Sequence, residues 1–207
     1  NQKLLKDMVA TALEKSGKTK VNIIAHSMGG LLVKDYVAEN PSVPVDHIFN
    51  IAVPHLGAPK TFKTLMYGDD MGFTFSLTSA IKVPVLNESR VKAITQNMPS
   101  VYELLPGKKY IDLFGPYIDD RIQDTVMDID GVERFMVADG RNEKMFPFAK
   151  ALHDRIDTMP ATIPTYNFIG CGSTKTVSSI VLTKEQSLTL TGFKLVPEHR
   201  IVYGAGD

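Results

Sequence analysis

The 207-residue chain lacks several features that define special classes of protein. Its single cysteine, Cys171, excludes an internal disulfide and a cysteine-rich metal site. No stretch approaches the ~18–20 consecutive apolar residues of a membrane-spanning helix. Neither sign of charge is in excess, since 23 Lys and Arg residues face 23 Asp and Glu residues. This balance disfavours nucleic acid as a partner.

The composition is that of a chain with a packed core. Hydrophobic residues make up 43% of the sequence and charged residues 22%. The length allows one domain with a large insertion. Because the sequence begins at Asn1 and stops in a glycine-rich turn, we interpret it as a segment of a longer protein, with any signal peptide outside it.

Helical and strand patterns alternate in the first quarter of the chain. Apolar residues at helical spacing predict an amphipathic helix from residue 4 to 13, with Gly17 as its C-cap. Two short apolar runs, at 20–25 and 47–53, predict strands buried on both faces of a parallel sheet. A second helix lies between them. This order predicts an α/β fold, mainly a parallel sheet with right-handed crossovers.

Regular patterning returns later in the chain. Apolar spacing predicts a helix over 88–105, which Pro99 must kink or split because proline lacks a backbone N–H. Residues 165–170 predict another strand. The runs 177–182 and 187–194 predict two short strands joined by a turn at 184–186.

The motif Ala25-His26-Ser27-Met28-Gly29 carries the clearest chemical signal. It resembles the nucleophile elbow G-x-S-x-G, with alanine in the first position, and it lies between a predicted strand and a predicted helix. The sharp turn requires small residues two positions before and after the serine. The motif predicts Ser27 as a nucleophile, and the Met28 backbone N–H as one donor of an oxyanion hole at the helix N-terminus.

Two other interpretations of the motif exist. Ser27 could be a plain N-cap of the helix, a common use of serine. His26 could be a catalytic base, although a residue next to the serine on an elbow points away from it. We therefore interpret His26 as a packing or site-shaping residue.

Further motifs extend this similarity. Four segments carry it: the elbow, the strand end Asn50-Ile51-Ala52-Val53-Pro54-His55-Leu56-Gly57-Ala58, the segment Tyr67-Gly68-Asp69-Asp70 and the run 97–106. Together they resemble the lecithin:cholesterol acyltransferase-like branch of the α/β-hydrolase lipases. This resemblance implies a Ser-Asp-His triad, an ester or phospholipid substrate, possible secretion and an inserted cap. It places the incomplete core at 1–60 and 161–207, and the cap or lid at 61–160.

The resemblance also implies where the catalytic acid lies. The family carries it in a Gly-Asp-Gly-Thr-Val turn, and this sequence ends Gly204-Ala205-Gly206-Asp207, which makes Asp207 the expected acid. Because the order in this fold is Ser, acid, His, the expected histidine follows Asp207. The alternative inside the chain pairs Asp139 with His153 or His199.

Substrate contacts are expected from a strand end and from the cap. His55 follows a strand at the carboxyl edge of the sheet, where it would either line the acyl pocket or hydrogen-bond the loop. Phe73 and Phe75 belong to a cap rich in methionine and phenylalanine, which suits a long acyl chain. The acidic run 112–139 lacks EF-hand spacing and predicts a solvated surface. We expect no metal and no cofactor.

These observations favour a lipase, esterase or acyltransferase that acts on lipid or other carboxylic esters, with Ser27 as nucleophile. Its expected partner is the ester substrate, presented in some cases at a lipid interface. The opposing hypothesis is a non-catalytic binding or interaction module that keeps the elbow as scaffolding. Oligomeric state and cellular location stay open at this point.

Overall fold

The structure is a computed structural model, and it describes residues 2–40, 42–69, 74–76, 82–84, 87–157, 163–170, 175–189 and 192–205. Within these ranges only the backbone is described at 74–76, 82–84, 185–189, 192–197 and 205. No helix within the described ranges is both long and apolar enough to cross a membrane.

A three-stranded parallel sheet organises the first part of the chain. It consists of β1 (Val21–His26), β2 (Val45–Ile51) and β7 (Thr165–Phe168), with β2 in the centre. Helix α1 (Gln2–Ser16) precedes β1, and helix α2 (Gly29–Glu39) connects β1 to β2. The predicted α/β order is therefore confirmed, and Gly17 ends α1 with a φ of 65°.

The predicted burial of both sheet faces is wrong. Helices α1 and α2 pack on one face, where Val9, Val37 and Ile48 belong to one buried cluster. On the opposite face Ile24 is 73% exposed, and it adjoins Phe49 and the exposed Tyr166 in neighbouring strands. The apolar runs are what a doubly covered parallel strand requires. Within the described residues helices cover only one side, and no described element covers the apolar side chains of the other side.

Short elements fill the region between β2 and β7. Its helices are α3 (Lys60–Met66), α4 (Glu88–Thr95), α5 (Pro99–Tyr102), α6 (Lys108–Phe114), α7 (Ile129–Ala138), a 3₁₀ turn (Glu143–Met145) and α8 (Phe146–Ile156). Its strands are β3 (Thr74–Ser76), β4 (Lys82–Pro84), β5 (Ile118–Asp120) and β6 (Thr125–Val126). The helix predicted over 88–105 is split as expected, because Pro99 begins a new helix at its N-terminus.

A long antiparallel hairpin follows β7. Strands β8 (Lys175–Thr189) and β9 (Gly192–Ala205) pair along their whole length, and β8 also pairs in parallel with β5. The turn predicted at 184–186 is wrong, because Lys184 lies within β8 opposite Pro197. Five consecutive polar residues, 183–187, imitate a turn signal, but β8 continues through them.

Two buried clusters show how the middle region is held. The larger cluster joins α3, α7 and β8 through fully buried residues such as Phe62, Met136 and Ile180. The smaller one packs α8 onto α2, with Leu31 of α2 against Leu152 and Ile156 of α8. Helix α8 therefore anchors the predicted cap on the helix that follows Ser27.

The division into a core at 1–60 and 161–207 and a cap at 61–160 stays a prediction. Of the described residues after 160, only β7 joins the parallel sheet. Strands β8 and β9 belong to a four-stranded sheet with β5 and β6, in the order β6-β5-β8-β9. The hydrogen bonding of the hairpin is therefore with the inserted region.

Candidate active site

Ser27 lies in the backbone conformation of a nucleophile elbow. It follows β1 directly, and its φ of 51° is in the left-handed region that non-glycine residues rarely adopt. Such a residue costs roughly 1–3 kcal/mol, and it persists only where its surroundings fix it. Here the Ser27 N–H donates to the Ile51 carbonyl oxygen at 2.9 Å. The parallel ladder between β1 and β2 thus continues one residue beyond the strand and holds the turn.

The neighbouring strand ends in the same way. Ala52 follows β2 with a φ of 47°, and its N–H donates to the Phe168 carbonyl oxygen of β7 at 2.9 Å. The carboxyl edge of the sheet therefore carries two adjacent left-handed turns, and each turn residue donates a hydrogen bond to a carbonyl oxygen of the next strand. Parallel sheets bind their ligands at this edge, so Ser27 lies where a substrate would approach.

The Met28 backbone N–H lies at the start of α2, directly after Ser27. Met28 has helical dihedral angles and caps the N-terminus of α2. No hydrogen bond joins its N–H to any residue that the structure describes, whereas the Gly30 N–H donates to the Ser27 carbonyl oxygen at 3.0 Å. The first N–H groups of a helix lack intrahelical partners, and the helix dipole favours negative charge beside them.

The close approach at this turn involves Gly30 and not Gly29. A Cβ at Gly30 would lie 2.3 Å from Cγ2 of Val53 and 2.4 Å from Cγ1. A Cβ at Gly29 would meet no described atom within 4 Å. The expected steric reason for a small residue two positions after the serine is therefore absent from the described residues. The tight packing lies one residue further, where α2 crosses the loop after β2.

His55 hydrogen-bonds to the end of β7. Its Nε2 lies 3.0 Å from Oδ1 of Asn167, and the same oxygen accepts from Nδ2 of Asn50 at 3.1 Å. An amide oxygen only accepts, so Nε2 carries the proton. Burial lowers the pKa of His55, and although the Asn167 hydrogen bond opposes this effect, the nearby Lys34 adds to it. The neutral ring therefore fixes the loop after β2 to β7, and a role in lining the acyl pocket stays a proposal.

Asn50 is a feature that the sequence analysis missed. It is buried near the carboxyl end of β2, and its Oδ1 has no hydrogen-bond partner among the described residues. The same is true of Nδ1 of His55. Two acceptors without donors at the carboxyl edge of a sheet are unusual, since buried polar groups are normally paired. An asparagine in the apolar run Ile48-Phe49-Asn50-Ile51 is the signal that would have indicated this position.

The described contacts do not bring Asp139 together with a histidine. Asp139 ends α7 and forms ion pairs with Lys92 at 3.6 Å and Arg141 at 3.5 Å. His153 contacts the Leu105 carbonyl oxygen through Nε2 at 3.0 Å. His199 stacks on Tyr67 with the ring centroids 3.5 Å apart. Each group in the internal alternative is thus occupied by other partners.

Three predicted site residues lie outside the described residues in whole or in part. Asp207 and Phe73 are not described, and Phe75 is described only through its backbone in β3, opposite Val83 in β4. Their roles remain predictions. Within the described residues, no group of three or more His, Cys, Asp or Glu side chains could hold a metal ion.

The fold and this site define a class of protein. A parallel sheet, a left-handed serine after its first strand and a helix that begins directly afterwards are the arrangement of an α/β-hydrolase elbow. The crystal structure of the Tle4-Tli4 complex shares the fold, with a TM-score of 0.58 at 15% identity. That similarity covers 86% of this chain and 42% of the solved chain.

Residues 2–146 match the family described as lecithin:cholesterol acyltransferase, and the chain belongs to this family. It is similar to lecithin-cholesterol acyltransferase-like 4 of Arabidopsis thaliana, with 33% identity over 99 residues, or 46% of this chain. It is also similar to the phospholipase A(1) LCAT3 of Arabidopsis thaliana, with 45% identity over 58 residues, or 27% of this chain. The matched regions span 18% and 13% of those relatives.

Proposed function

We propose that this chain supplies the nucleophile of a serine lipase, esterase or acyltransferase that acts on lipid or other carboxylic esters. The observation that carries the proposal is the left-handed Ser27 between β1 and α2, with the Met28 N–H beside it. Membership of the lecithin:cholesterol acyltransferase family supports a lipid ester as substrate. The similarity to a phospholipase A(1) supports a glycerophospholipid among the candidates.

The proposed reaction is acyl transfer in two steps. A histidine beyond Asp207 takes the proton from Oγ of Ser27, and Oγ forms a bond to the ester carbonyl carbon. The negative charge moves to the carbonyl oxygen, where the Met28 N–H donates to it. The carbon–oxygen bond to the alcohol then breaks, and the alcohol leaves with the proton from the histidine.

The second step regenerates the serine. Water gives a proton to the histidine, and its oxygen forms a bond to the acyl carbon. The bond between that carbon and Oγ of Ser27 then breaks, the histidine returns the proton to Oγ, and a carboxylic acid is released. In an acyltransferase an alcohol takes the place of water. Asp207 would orient the histidine and stabilise its charged form in both steps. A second oxyanion donor would come from an upstream loop of the full-length protein.

Labelling by a fluorophosphonate tests the nucleophile. In the full-length protein we expect the label on Ser27 and its loss in the variant Ser27→Ala, together with a fall of at least about 10³-fold in hydrolysis of a short-chain ester. The variant Ser16→Ala is the matched control, because Ser16 is an exposed serine at the end of α1. A folded full-length protein that takes no label would contradict the proposal and favour the interaction module.

A second measurement separates the two types of enzyme. The labelled enzyme species is the same in both, so the products must be compared. With phosphatidylcholine as acyl donor, a long-chain alcohol is added at increasing concentration. A rising share of alkyl ester identifies an acyltransferase, and release of free fatty acid alone identifies a lipase.

A further inference from the structure

The side chain of Asn167 joins two segments at the carboxyl edge of the parallel sheet. Its Oδ1 accepts from Nδ2 of Asn50 at 3.1 Å, and Nε2 of His55 lies 3.0 Å from the same atom. Asn50 and Asn167 are direct partners in the register of β2 with β7. An amide oxygen has two lone pairs, so this single atom accepts both hydrogen bonds.

These two hydrogen bonds are the only ones that the side chains of Asn50 and His55 make within the described residues. Oδ1 of Asn50 and Nδ1 of His55 are buried and lack partners there. All of the hydrogen bonding of the His55 ring therefore goes through Nε2. Loss of the Asn167 side chain would leave both side chains without a described partner.

Val53 lies between two attachments of the loop to β7. Before it, the Ala52 N–H donates to the Phe168 carbonyl oxygen at 2.9 Å. After it, the His55 side chain reaches Asn167, and the His55 backbone N–H donates to the Val53 carbonyl oxygen at 2.9 Å. The position of Val53 relative to the sheet is therefore fixed from both sides.

Val53 is also the residue that α2 meets at its first turn. It is 9% exposed, and a Cβ at Gly30 would lie 2.3 Å from its Cγ2. The Gly30 N–H donates to the Ser27 carbonyl oxygen at 3.0 Å. Because close-packed interiors transmit strain, a shift of Val53 moves the first turn of α2, and the serine moves with it.

We propose that His55 is a positioning residue for Ser27. Its hydrogen bond to Asn167 holds Val53 in place, and Val53 sets how closely Gly30 and the start of α2 approach the carboxyl edge of the sheet. The effect on ester hydrolysis rests on the proposed function, in which Ser27 is the nucleophile. The geometry of the elbow itself can be measured without any reaction.

Two amide variants of His55 separate its hydrogen bond from the bulk of the ring. The amide nitrogen of glutamine falls at about the place of Nε2, whereas that of asparagine falls at about the place of Nδ1. Only the variant His55→Gln therefore reaches Asn167. Both variants should fold, since the Ala58 N–H donates to the Leu104 carbonyl oxygen at 2.8 Å and anchors the end of the loop separately.

Ester hydrolysis by the full-length protein compares the two variants. We expect kcat to fall about tenfold or more in His55→Asn, with KM changed by less than about threefold, because the nucleophile is misplaced while the substrate still binds. In His55→Gln, kcat should stay within about threefold of the wild-type value. Equal kcat in all three proteins, or an equal loss in both variants, would overturn the inference.

A coupling measurement assigns the effect to the hydrogen bond between His55 and Asn167. In Asn167→Leu the acceptor is absent, so the double variant with His55→Asn should be about as slow as Asn167→Leu alone. The control His47→Asn changes a histidine in the first half of β2, where its Nδ1 lies 3.2 Å from the Asp46 carboxylate, and it should leave kcat unchanged. Losses that multiply in the double variant, or a loss in His47→Asn as large as that in His55→Asn, would overturn the inference.

Hydrogen exchange read by mass spectrometry examines the elbow without a substrate. The peptide that contains Ser27 and Gly30 should exchange about tenfold or more faster in His55→Asn than in His55→Gln, because the hydrogen bonds of these two amides open more often when the turn is held less firmly. Unchanged exchange of this peptide would overturn the inference, even where activity is lost. Faster exchange in a protein whose Ser27 takes no fluorophosphonate label would support the positioning role and contradict the proposed function.

Discussion

Gly30 controls how closely helix α2 approaches the loop after β2. In Gly30→Ala the new Cβ would lie 2.3, 2.4 and 2.9 Å from Cγ2, Cγ1 and Cβ of Val53. Carbon atoms in contact are about 3.5–4.0 Å apart. Rotation about χ1 of Val53 cannot remove the overlap, because it leaves the 2.9 Å contact with the Val53 Cβ unchanged. Helix α2 must therefore shift away from Val53 by about 1 Å.

The expected cost follows from two opposing effects. Overpacking costs about 1–3 kcal/mol, and alanine is better than glycine in a helix by up to about 1 kcal/mol. We expect Gly30→Ala to lower the free energy of unfolding by about 1–2 kcal/mol. Because Ser27 and Met28 directly precede the N-terminus of α2, a shift of this helix by about 1 Å should also reduce ester hydrolysis by about 10²-fold.

Denaturant unfolding and ester hydrolysis of the full-length protein measure both effects. The matched control is Gly29→Ala, whose Cβ would meet no described atom within 4 Å, so stability and activity should be unchanged or slightly higher. In the double variant Gly30→Ala/Val53→Ala we expect partial recovery, because the two Cγ contacts disappear. A Gly30→Ala protein as stable and active as Gly29→Ala would refute this reasoning.

Three further predictions concern stability. Ser27→Gly should raise the free energy of unfolding by up to about 1 kcal/mol, because glycine adopts the φ of 51° without strain. Ester hydrolysis should be lost with the hydroxyl. An unfolding midpoint below that of Ser27→Ala would contradict this. Arg155→Ala should lower the free energy of unfolding by about 1–2 kcal/mol in denaturant unfolding, because Nε of Arg155 lies 2.8 Å from the buried Asp35 carboxylate. The control Lys108→Ala removes an exposed ion pair and should cost under about 0.5 kcal/mol. The pKa of His55 is lower in the folded protein, so the unfolded chain binds more protons. The free energy of unfolding should therefore fall as the pH drops through the unfolded pKa of about 6.5, and it should fall less in His55→Gln. Equal pH dependence of thermal unfolding in the two proteins would argue against this.

The local elements could be predicted where the sequence repeats with a clear period or where one residue has a unique constraint. The split at Pro99 follows from a missing N–H, and the strand and helix around Ser27 follow from apolar periodicity. The turn assigned to 184–186 was wrong, because polar residues in a long hairpin look like a turn when the partner strand is unknown.

The site could be predicted only in part for a similar reason. Ser27 and Met28 belong to one continuous motif, so their placement after β1 was readable from the sequence. The contact between His55 and Asn167 joins residues 112 positions apart, and it depends on the register of β2 with β7. No local pattern contains that register.

The sequence by itself determined the order of strands and helices in the first quarter of the chain, the elbow motif and the family, because each depends on neighbouring residues. The tertiary structure alone decided that Gly30 and not Gly29 is held against Val53, and that one face of the parallel sheet keeps Ile24 exposed. It also decided that a cavity forms between α6, α7 and α8. These features arise where distant segments pack together, and packing depends on three-dimensional distances that the order of residues does not state.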